Sequence, residues 1–453
     1  MTEIYIDSSP YLNRIAVLKN NKIKEFYIES NDDIPKKDEI YKGIVKEISR
    51  GLKCAFVDIG NCKKAYLYLE DSRVSVKKGD EILVQVQKVE KDGKKAKVTT
   101  NLILTGEKVI LTNSDVLSLS KNYVDKKHGK NVLSKLKKPS GVGIILRTQS
   151  SVFSLEEIQE EFDFLYEEYK NLNRGLQYNR KPSLLYDNNG IMGKVIRDNI
   201  NGDLHRIIVD SVNVKDKVNS SVCQFKHKIV EIEVHNKYLP LFKYYGIEKT
   251  LSMLNEKTVP LDCGGDIVIN KTEAMYVIDV NSKKNVKERD LITTIHKTNI
   301  EAAEEIAKQI CLRNLNGIIL IDFIDDDDVS RRSEILKRID TNLKDGKGKY
   351  TIFPFTDLNL IQITRKDAGF GINEFLGMEC PCCKTKQYHI LNEKYLLHQV
   401  YVEINNLDDG KLKVFIPEIY RDTRVKYEIY KMRENIELVF YDGDRFKIEK
   451  SIY

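Results

Sequence analysis

Apolar and polar residues alternate in short runs over the first hundred positions, which is the pattern of β-strands buried on one face. Residues 3–28 predict a strand, a turn and a strand, with Asn20-Asn21 at the hairpin. From Tyr41 to Thr100 five further β-type runs follow in close succession. Five strands in about 60 residues, ending in a basic hairpin, indicate a small closed barrel of the OB type. A β-sandwich module without a ligand is an open alternative.

Beyond the predicted barrel the pattern changes to strands that alternate with helices. A basic stretch, KNYVDKKHGKN…KLKKPSG, precedes the strand GVGIILRT, and Ser154 to Glu157 forms a capping box for a helix that runs to about Asn171. Further on, GGDIVINKTEAMYVIDVNSKK predicts a hairpin, residues 299–311 an amphipathic helix, and GIILIDFI a buried strand before a helix from Val329. The fold class is therefore multi-domain α/β.

Length and charge limit the possible functions. With 453 residues and 52.4 kDa, the chain is long enough for about three domains. The formal net charge of +6 is too small to attract polyanions globally, so any affinity for nucleic acid must come from local patches. The longest apolar stretch, Gly317 to Ile324, is interrupted by Asp322 and is far shorter than a membrane span. We expect a cytoplasmic protein that is neither exported nor membrane-spanning.

Two carboxylates in apolar strands are the strongest chemical signal. Asp279 lies in YVIDVNS and Asp322 in LIDFIDD, where an unpaired buried charge would be costly. Two strands that end in carboxylates would place two hard oxygen ligands at one sheet edge, which suits Mg²⁺. Asn281 points to the same face as Asp279 by strand alternation. The alternative is that these carboxylates only cap backbone amides, as the run Asp325 to Asp328 does in our interpretation.

The cysteines favour a metal over a disulfide framework. Three of the eight fall within four positions, and Cys380-Pro-Cys-Cys383 has the spacing of half a tetrahedral thiolate site. The chain has no second Cys-x-x-Cys. Surface thiols without a metal are the alternative.

These segments resemble the catalytic region of the ribonuclease E/G family. The likeness rests on GGDIVINKTEAMYVIDVNSKK, on TNIEAAEEIAKQICLRNLNGIILIDFID and on the Cys-x-x-Cys that follows. Upstream, YKGIVKEI…AFVDIG…AYLYL…KVTT is similar to the family's OB-type RNA-binding insertion, and GIILRT to its 5′-end-sensing segment. The sequence has no long disordered C-terminal segment, so the compact ribonuclease G type is the closer match.

The resemblance implies a domain organisation for the chain. It comprises an RNase H-like part in two segments, 1–36 and 188–265; an OB-fold RNA-binding barrel, 37–105; a 5′-sensor region, 106–187; a DNase I-like catalytic domain, 266–378; a zinc link, 379–390; and a small C-terminal domain, 391–453.

The resemblance also implies the activity. Asp279 and Asp322 match the Mg²⁺-binding carboxylates and Asn281 the supporting amide, so we expect an endoribonuclease that cuts single-stranded RNA to 5′-phosphate and 3′-hydroxyl ends. The expected RNAs are messenger RNA and ribosomal RNA precursors. Cys380 and Cys383 would supply half of a Zn²⁺ site shared by two protomers, which predicts a homodimer or a dimer of dimers. The rival hypothesis is a catalytically silent RNA-binding protein that retains the fold.

The remaining matched residues would contact RNA. In the barrel they are Phe56, Tyr66 and Lys94, and the alternative for Phe56 is an ordinary core position. Arg147-Thr148 matches the pair that senses the RNA 5′ phosphate. The arginine that usually completes this site corresponds to Asp357, so we expect a weak preference for 5′-monophosphorylated RNA.

Overall fold

The computed structural model describes the chain except residues 33–34, 61–63, 90–94, 201–203, 223–229, 283–290, 345, 347, 367–371, 380–385 and 451–453. The described residues form a mixed α/β protein that divides into two compact units. The first unit comprises 1–31, 205–215 and 231–453, and the second comprises 32–204 and 216–230. In sequence, the second unit is therefore inserted into the first.

The strands are β1 (Thr2–Ser8), β2 (Leu12–Lys19), β3 (Lys22–Ser30), β4 (Ile40–Ser49), β5 (Cys54–Asp58), β6 (Lys64–Tyr68), β7 (Glu81–Lys88), β8 (Lys97–Thr99), β9 (Ile103–Thr105), β10 (Val109–Thr112), β11 (Leu117–Leu119), β12 (Gly143–Leu146), β13 (Ser183–Tyr186), β14 (Leu204–Val209), β15 (Glu231–Val234), β16 (Thr258–Pro260), β17 (Asp266–Lys271), β18 (Met275–Asn281), β19 (Gly317–Asp322), β20 (Tyr350–Ile352), β21 (Leu360–Arg365), β22 (Gly377–Glu379), β23 (Lys386–Leu391), β24 (Leu412–Pro417), β25 (Ile436–Tyr441) and β26 (Lys447–Lys450). The helices are α1 (Lys126–Lys135), α2 (Leu155–Tyr178), α3 (Gly190–Asn199), α4 (Val212–Val222), α5 (Leu241–Tyr244), α6 (Ile247–Leu254), α7 (Leu291–Leu312), α8 (Val329–Lys344), α9 (Ile372–Leu376), α10 (Glu393–Asn405) and α11 (Val425–Met432).

The second unit contains the predicted barrel. Strands β4, β5, β6, β8 and β7 pair in that order, and pairing of β4 with β7 closes the ring. Ala55, Val57 and Leu67 point into the barrel and are buried, because alternate residues of each strand face its interior. The OB-type barrel predicted from the sequence is confirmed.

A four-stranded sheet in the second unit has the order β11-β12-β10-β9. Helices α1 and α2 contribute apolar residues to the same core as this sheet, among them Leu133 and Phe162. The predicted capping box of α2 is present, since the Ser154 hydroxyl accepts from the Glu157 amide and the Glu157 carboxylate accepts from the Ser154 amide. The helix runs past the predicted end to Tyr178, because the apolar stripe continues through the buried Leu172.

The first unit contains two larger sheets. One has the order β15-β14-β1-β2-β3, and its β2–β3 hairpin turns through Asn20 and Asn21, both at positive φ as a tight hairpin requires. The other has the order β16-β17-β18-β19-β21-β20. One face of this second sheet is covered by α7 and α8, whose Ala303, Ile306 and Ile339 are buried with the strand residues.

Helix α7 begins at Leu291, eight residues before the predicted start at Asn299. The added turns are rich in Thr, which has low helix propensity. Tertiary packing overrides that preference, because Thr294 and Thr298 are buried and the Thr298 hydroxyl donates to the Thr294 carbonyl at 2.8 Å.

The C-terminal residues form a small sheet of order β25-β24-β26, packed on α10 and α11. Tyr395 of α10 also joins the apolar core beside β1–β3. Across the ranges given above, no helix is both long and apolar enough to cross a membrane. The boundaries of the seven predicted segments, which make up six parts, stay a prediction.

Candidate functional site

Strand register brings the two predicted carboxylates together. Strands β18 and β19 are parallel, and Asp279 lies directly opposite Asp322. Parallel neighbours lie about 4.8 Å apart and residues in register point to the same face. Both side chains are exposed, on the face opposite α7 and α8. Forty-three positions separate the two carboxylates in sequence, yet the sheet makes them neighbours.

Asn281 fixes the orientation of the first carboxylate. Its amide nitrogen donates to Asp279 Oδ2 at 3.0 Å and to Asp266 Oδ1 at 3.3 Å. Asp266 lies opposite Asn281 on β17 and is buried. The amide therefore bridges two carboxylates and limits the rotation of Asp279.

The charge balance at this edge is negative. Burial, followed by the charges of Asp279 and Asp325, raises the pKa of the Asp322 carboxyl. Two like charges this close disfavour joint ionisation unless a cation neutralises them. The oxygens are hard donors on adjacent strands, which fits Mg²⁺, an ion held in proteins by one or two carboxylates together with water and substrate phosphate. Among the described residues no group of three or more His, Cys, Asp or Glu side chains could hold a metal ion.

The acidic turn after β19 has a structural role, as its sequence indicated. Asp328 accepts from the backbone amides of Ser330 and Arg331 at the start of α8, as a helix cap does. Asp326 forms an ion pair with Arg331 at 2.8 Å. Asp325 accepts a hydrogen bond from the Asn359 amide at 2.8 Å.

The barrel presents a second set of predicted residues. Phe56 and Tyr66 lie opposite each other on β5 and β6, and both are half-buried on the outside of the barrel. Phe56 is absent from the apolar cluster inside the barrel, so the core alternative for this residue is wrong. Tyr68 lies two residues beyond Tyr66, 41% exposed, and packs edge-on against it with ring centroids 5.2 Å apart.

Lysines accompany these rings. Lys95 Nζ lies 4.9 Å from the centroid of Phe56, and Lys97 Nζ lies 4.7 Å from that of Tyr68. Lys97 also pairs with Asp71 at 2.7 Å. Aromatic faces that stack bases, combined with cations for phosphates, are typical of surfaces that bind single-stranded nucleic acid.

The predicted 5′-sensing pair lies at the end of β12. The Arg147 guanidinium already has partners within the protein. Its Nη1 donates to the Gly106 carbonyl at 2.7 Å, and its Nη2 lies 3.4 Å from Asp198 Oδ1. The Thr148 hydroxyl donates to the Ser120 hydroxyl at 3.2 Å. A terminal phosphate would have to compete with Asp198 for this guanidinium.

Lys94, Cys380 and Cys383 lie outside the described residues, as does Cys382. Their predicted roles stay predictions. The sequence alone did not identify Tyr68, Lys97 or Asp266 as site residues. The alternation of side chains along β6 could have identified Tyr68, which lies two positions beyond Tyr66 on the same face.

Comparison with known proteins identifies the family. Residues 103–368, more than half of the chain, match the model of the Ribonuclease E/G family, and residues 34–101 match that of the S1 RNA binding domain. The chain belongs to the ribonuclease E/G family. The resemblance noted in the sequence is therefore confirmed, and the match to an S1 domain supports RNA binding by the barrel.

Several members of the ribonuclease E/G family are similar over most of the chain. Ribonuclease G of Haemophilus influenzae is 30% identical over 436 residues, which are 88% of this chain and 88% of that protein. Ribonuclease E of Buchnera aphidicola (subspecies Schizaphis graminum) is 27% identical over 450 residues, 94% of this chain and 46% of its own. Ribonuclease E of Escherichia coli is 28% identical over 396 residues, 82% and 37% respectively. The chain thus spans less than half the length of these two ribonuclease E proteins.

Proposed function

We propose that the protein is a Mg²⁺-dependent endoribonuclease that hydrolyses single-stranded RNA to 5′-phosphate and 3′-hydroxyl ends. The observation that carries the proposal is the parallel register of Asp279 and Asp322 on the open face of the sheet. Membership of a family whose members are named ribonucleases supports the reaction class.

The chain's own residues would prepare the reaction. Asp279 and Asp322 would hold the metal, and Asn281 would keep the Asp279 carboxylate turned toward it. A bound Mg²⁺ would lower the pKa of a water and stabilise the charge that develops on the phosphate. Phe56, Tyr66 and Tyr68 would stack RNA bases without regard to their identity, each for about 1–3 kcal/mol.

The substrates, the domain folds and the dimer are further parts of the same proposal. We infer messenger RNA and ribosomal RNA precursors in the cytoplasm as substrates, an RNase H-like part built on β1–β3 and β14–β15, and a DNase I-like part built on the sheet that carries Asp279. The strand order β15-β14-β1-β2-β3 supports the first of these assignments. Cys380 and Cys383 would join two protomers through a shared zinc.

The test is cleavage of a fluorescent single-stranded RNA of about 10–15 nucleotides, with Mg²⁺ or with EDTA. Asp279→Asn and Asp322→Asn should each abolish cleavage and leave RNA affinity within a few-fold, because backbone contacts do not depend on these ligands. Asp327→Asn is the matched control, since this exposed aspartate pairs only with Arg332 among the described residues. It should cleave like the wild type.

The outcomes separate the proposal from its rival. Near-normal cleavage by either site variant would overturn the metal assignment. Tight RNA binding by the wild-type protein, with no cleavage in Mg²⁺, would favour the silent RNA-binding protein instead. Products with 3′-phosphate ends would exclude the proposed hydrolysis.

A further inference from the structure

The basic stretch that follows the barrel in sequence has as much net positive charge as the whole chain. Residues 121–138 contain seven lysines and one aspartate, a net charge of +6. The entire 453-residue chain also has a net charge of +6, so the remaining residues together are neutral. Neither the catalytic sheet nor the aromatic face of the barrel includes this segment.

Helix α1 carries four of these lysines on its exposed side. Asp125 caps the helix by accepting from the His128 amide at 2.9 Å. Three apolar residues of the segment, Val132, Leu133 and Leu136, are buried in the core shared with β11 and β12. Gly129 permits the close approach, because a Cβ at this position would lie 2.7 Å from the Tyr123 ring. The exposed lysines are Lys121, Lys126, Lys127, Lys130, Lys135 and Lys137.

Most of this charge does not stabilise the fold, although Lys135 lies in the last turn of α1, where a cation complements the helix dipole. Lys126 and Lys127 occupy the first turn of α1, where cations oppose the helix dipole. Lys126 and Lys130 form a like-charged i,i+4 pair, which is unfavourable on a helix. In the part of the chain that the structure describes, none of the six exposed lysines pairs with a carboxylate; Lys138, which is less exposed, pairs with Asp115 at 3.2 Å. A cluster of like charges with so few internal partners indicates an external anion.

We propose that the outer face of α1 binds the phosphate backbone of RNA, through residues other than the proposed metal-binding carboxylates and the aromatic residues of the barrel. The inference rests on the proposed function, in that RNA is the ligand of the protein. Two observations favour RNA. The segment belongs to the same compact unit as the barrel that matches an S1 RNA binding domain. Its exposed face carries cations and few apolar side chains, so it offers charge without sequence readout.

A membrane surface fits the helix less well. Amphipathic helices bind bilayers by inserting their apolar face. In α1 that face is already buried in the protein core, and Val124 is the exposed large apolar residue of the segment.

The test compares two fourfold variants of the full-length chain. In the first, Lys126, Lys127, Lys130 and Lys135 are replaced by Gln, which has a similar helix propensity. In the control, Lys19, Lys337, Lys411 and Lys426, all exposed and all in the first unit, are replaced by Gln. Both variants lose the same charge. Far-ultraviolet circular dichroism should be unchanged for both, since neither set lies in the core.

The measurement is fluorescence anisotropy with an unstructured RNA of about 30 nucleotides in EDTA, from about 50 to about 200 mM salt. If all four α1 lysines contact phosphates, the slope of log affinity against log salt should become shallower by about 3 in the α1 variant. Over this range the wild-type protein would then lose about 50-fold more affinity than the variant does. The control variant should keep the wild-type slope.

Each outcome has one meaning. Wild-type protein that binds RNA with a slope unchanged in the α1 variant would overturn this inference and leave the proposed function standing. Wild-type protein that does not bind RNA would overturn both. Equal loss of slope in both variants would mean that net charge, rather than the α1 face, attracts RNA. Binding to vesicles containing phosphatidylserine that the α1 variant alone loses, with unchanged RNA binding, would assign the face to membranes.

Discussion

Replacement of Lys42 by Met should destabilise the second unit. Lys42 lies on β4 with its side chain 1% exposed, and its Nζ forms an ion pair with Glu81 at 2.6 Å. The same Nζ donates to the Leu176 carbonyl at 2.8 Å and to the Asn179 carbonyl. These carbonyls lie at the C-terminal end of α2, where four C=O groups lack partners within the helix. Lys42 therefore satisfies the helix end and complements its dipole.

The size of the effect follows from these contacts. Met keeps most of the aliphatic stem of Lys42, so the loss is that of the polar interactions. Each buried carbonyl left without a donor costs about 1–3 kcal/mol. Glu81 is 48% exposed and regains water, so we discount its contribution, and removal of a buried ammonium also recovers desolvation energy. We expect a net loss of about 3 kcal/mol, which lowers the melting temperature of a unit of this size by about 6–12 °C.

Thermal unfolding of the full chain, followed by circular dichroism, measures the effect. Lys46→Met is the matched control, because Lys46 lies on the same strand, is 45% exposed and pairs with Asp58 at 3.3 Å. This surface pair should contribute less than about 1 kcal/mol. A Lys42→Met variant that melts within about 2 °C of the wild type would refute the assigned role of the buried ammonium.

Three further predictions follow from other parts of the chain. Burial and the neighbouring Asp7 raise the pKa of Asp210 to about 7, so the folded chain keeps a proton that the unfolded chain releases near pH 4. The free energy of unfolding should therefore fall by about 4 kcal/mol between about pH 4 and pH 7. Urea denaturation across this range should show that Asp210→Asn removes this pH dependence. Equal pH dependence in the wild type and the variant would contradict the raised pKa of Asp210. Metal analysis should find about one zinc for two chains, with Cys383→Ser converting dimer to monomer; one zinc per chain would exclude a shared site. Cleavage of one oligonucleotide with two different 5′ ends should favour the monophosphate by roughly tenfold or less, because Asp198 competes for Arg147. A far larger preference that Arg147→Ala abolishes would show an intact phosphate pocket.

Local patterns predicted the elements of this chain well. Two-residue alternation specified the barrel strands, since alternate residues must be buried for the barrel to close. The capping box of α2 was visible because its two hydrogen bonds join residues three positions apart. The start of α7 was not visible, because the buried environment of Thr294 and Thr298 is set by distant residues.

The candidate site was predictable in its residues but not in its geometry. Apolar strands interrupted by Asp279 and Asp322 pointed to a charge that needs compensation, yet the sequence contains nothing that fixes their parallel register. The contact of Arg147 with Asp198 joins residues 51 positions apart, one directly after β12 and the other on α3, and only the packing of those elements brings them together. Long-range contacts of this kind have no local sequence signal.

The pairing of β18 with β19 also has a consequence for how this site can evolve. The two carboxylates are held together by interstrand hydrogen bonds and by the buried Ile278 and Ile321, and not by the chain that connects them. The connection from β18 through α7 to β19 is therefore free to gain or lose surface residues while the carboxylates stay opposite each other. A shift of one residue within either strand is different, because it would exchange the exposed and buried faces and turn an aspartate into the core. Descendants of this sequence should accordingly vary in the length of that connection and keep the strands themselves free of insertions.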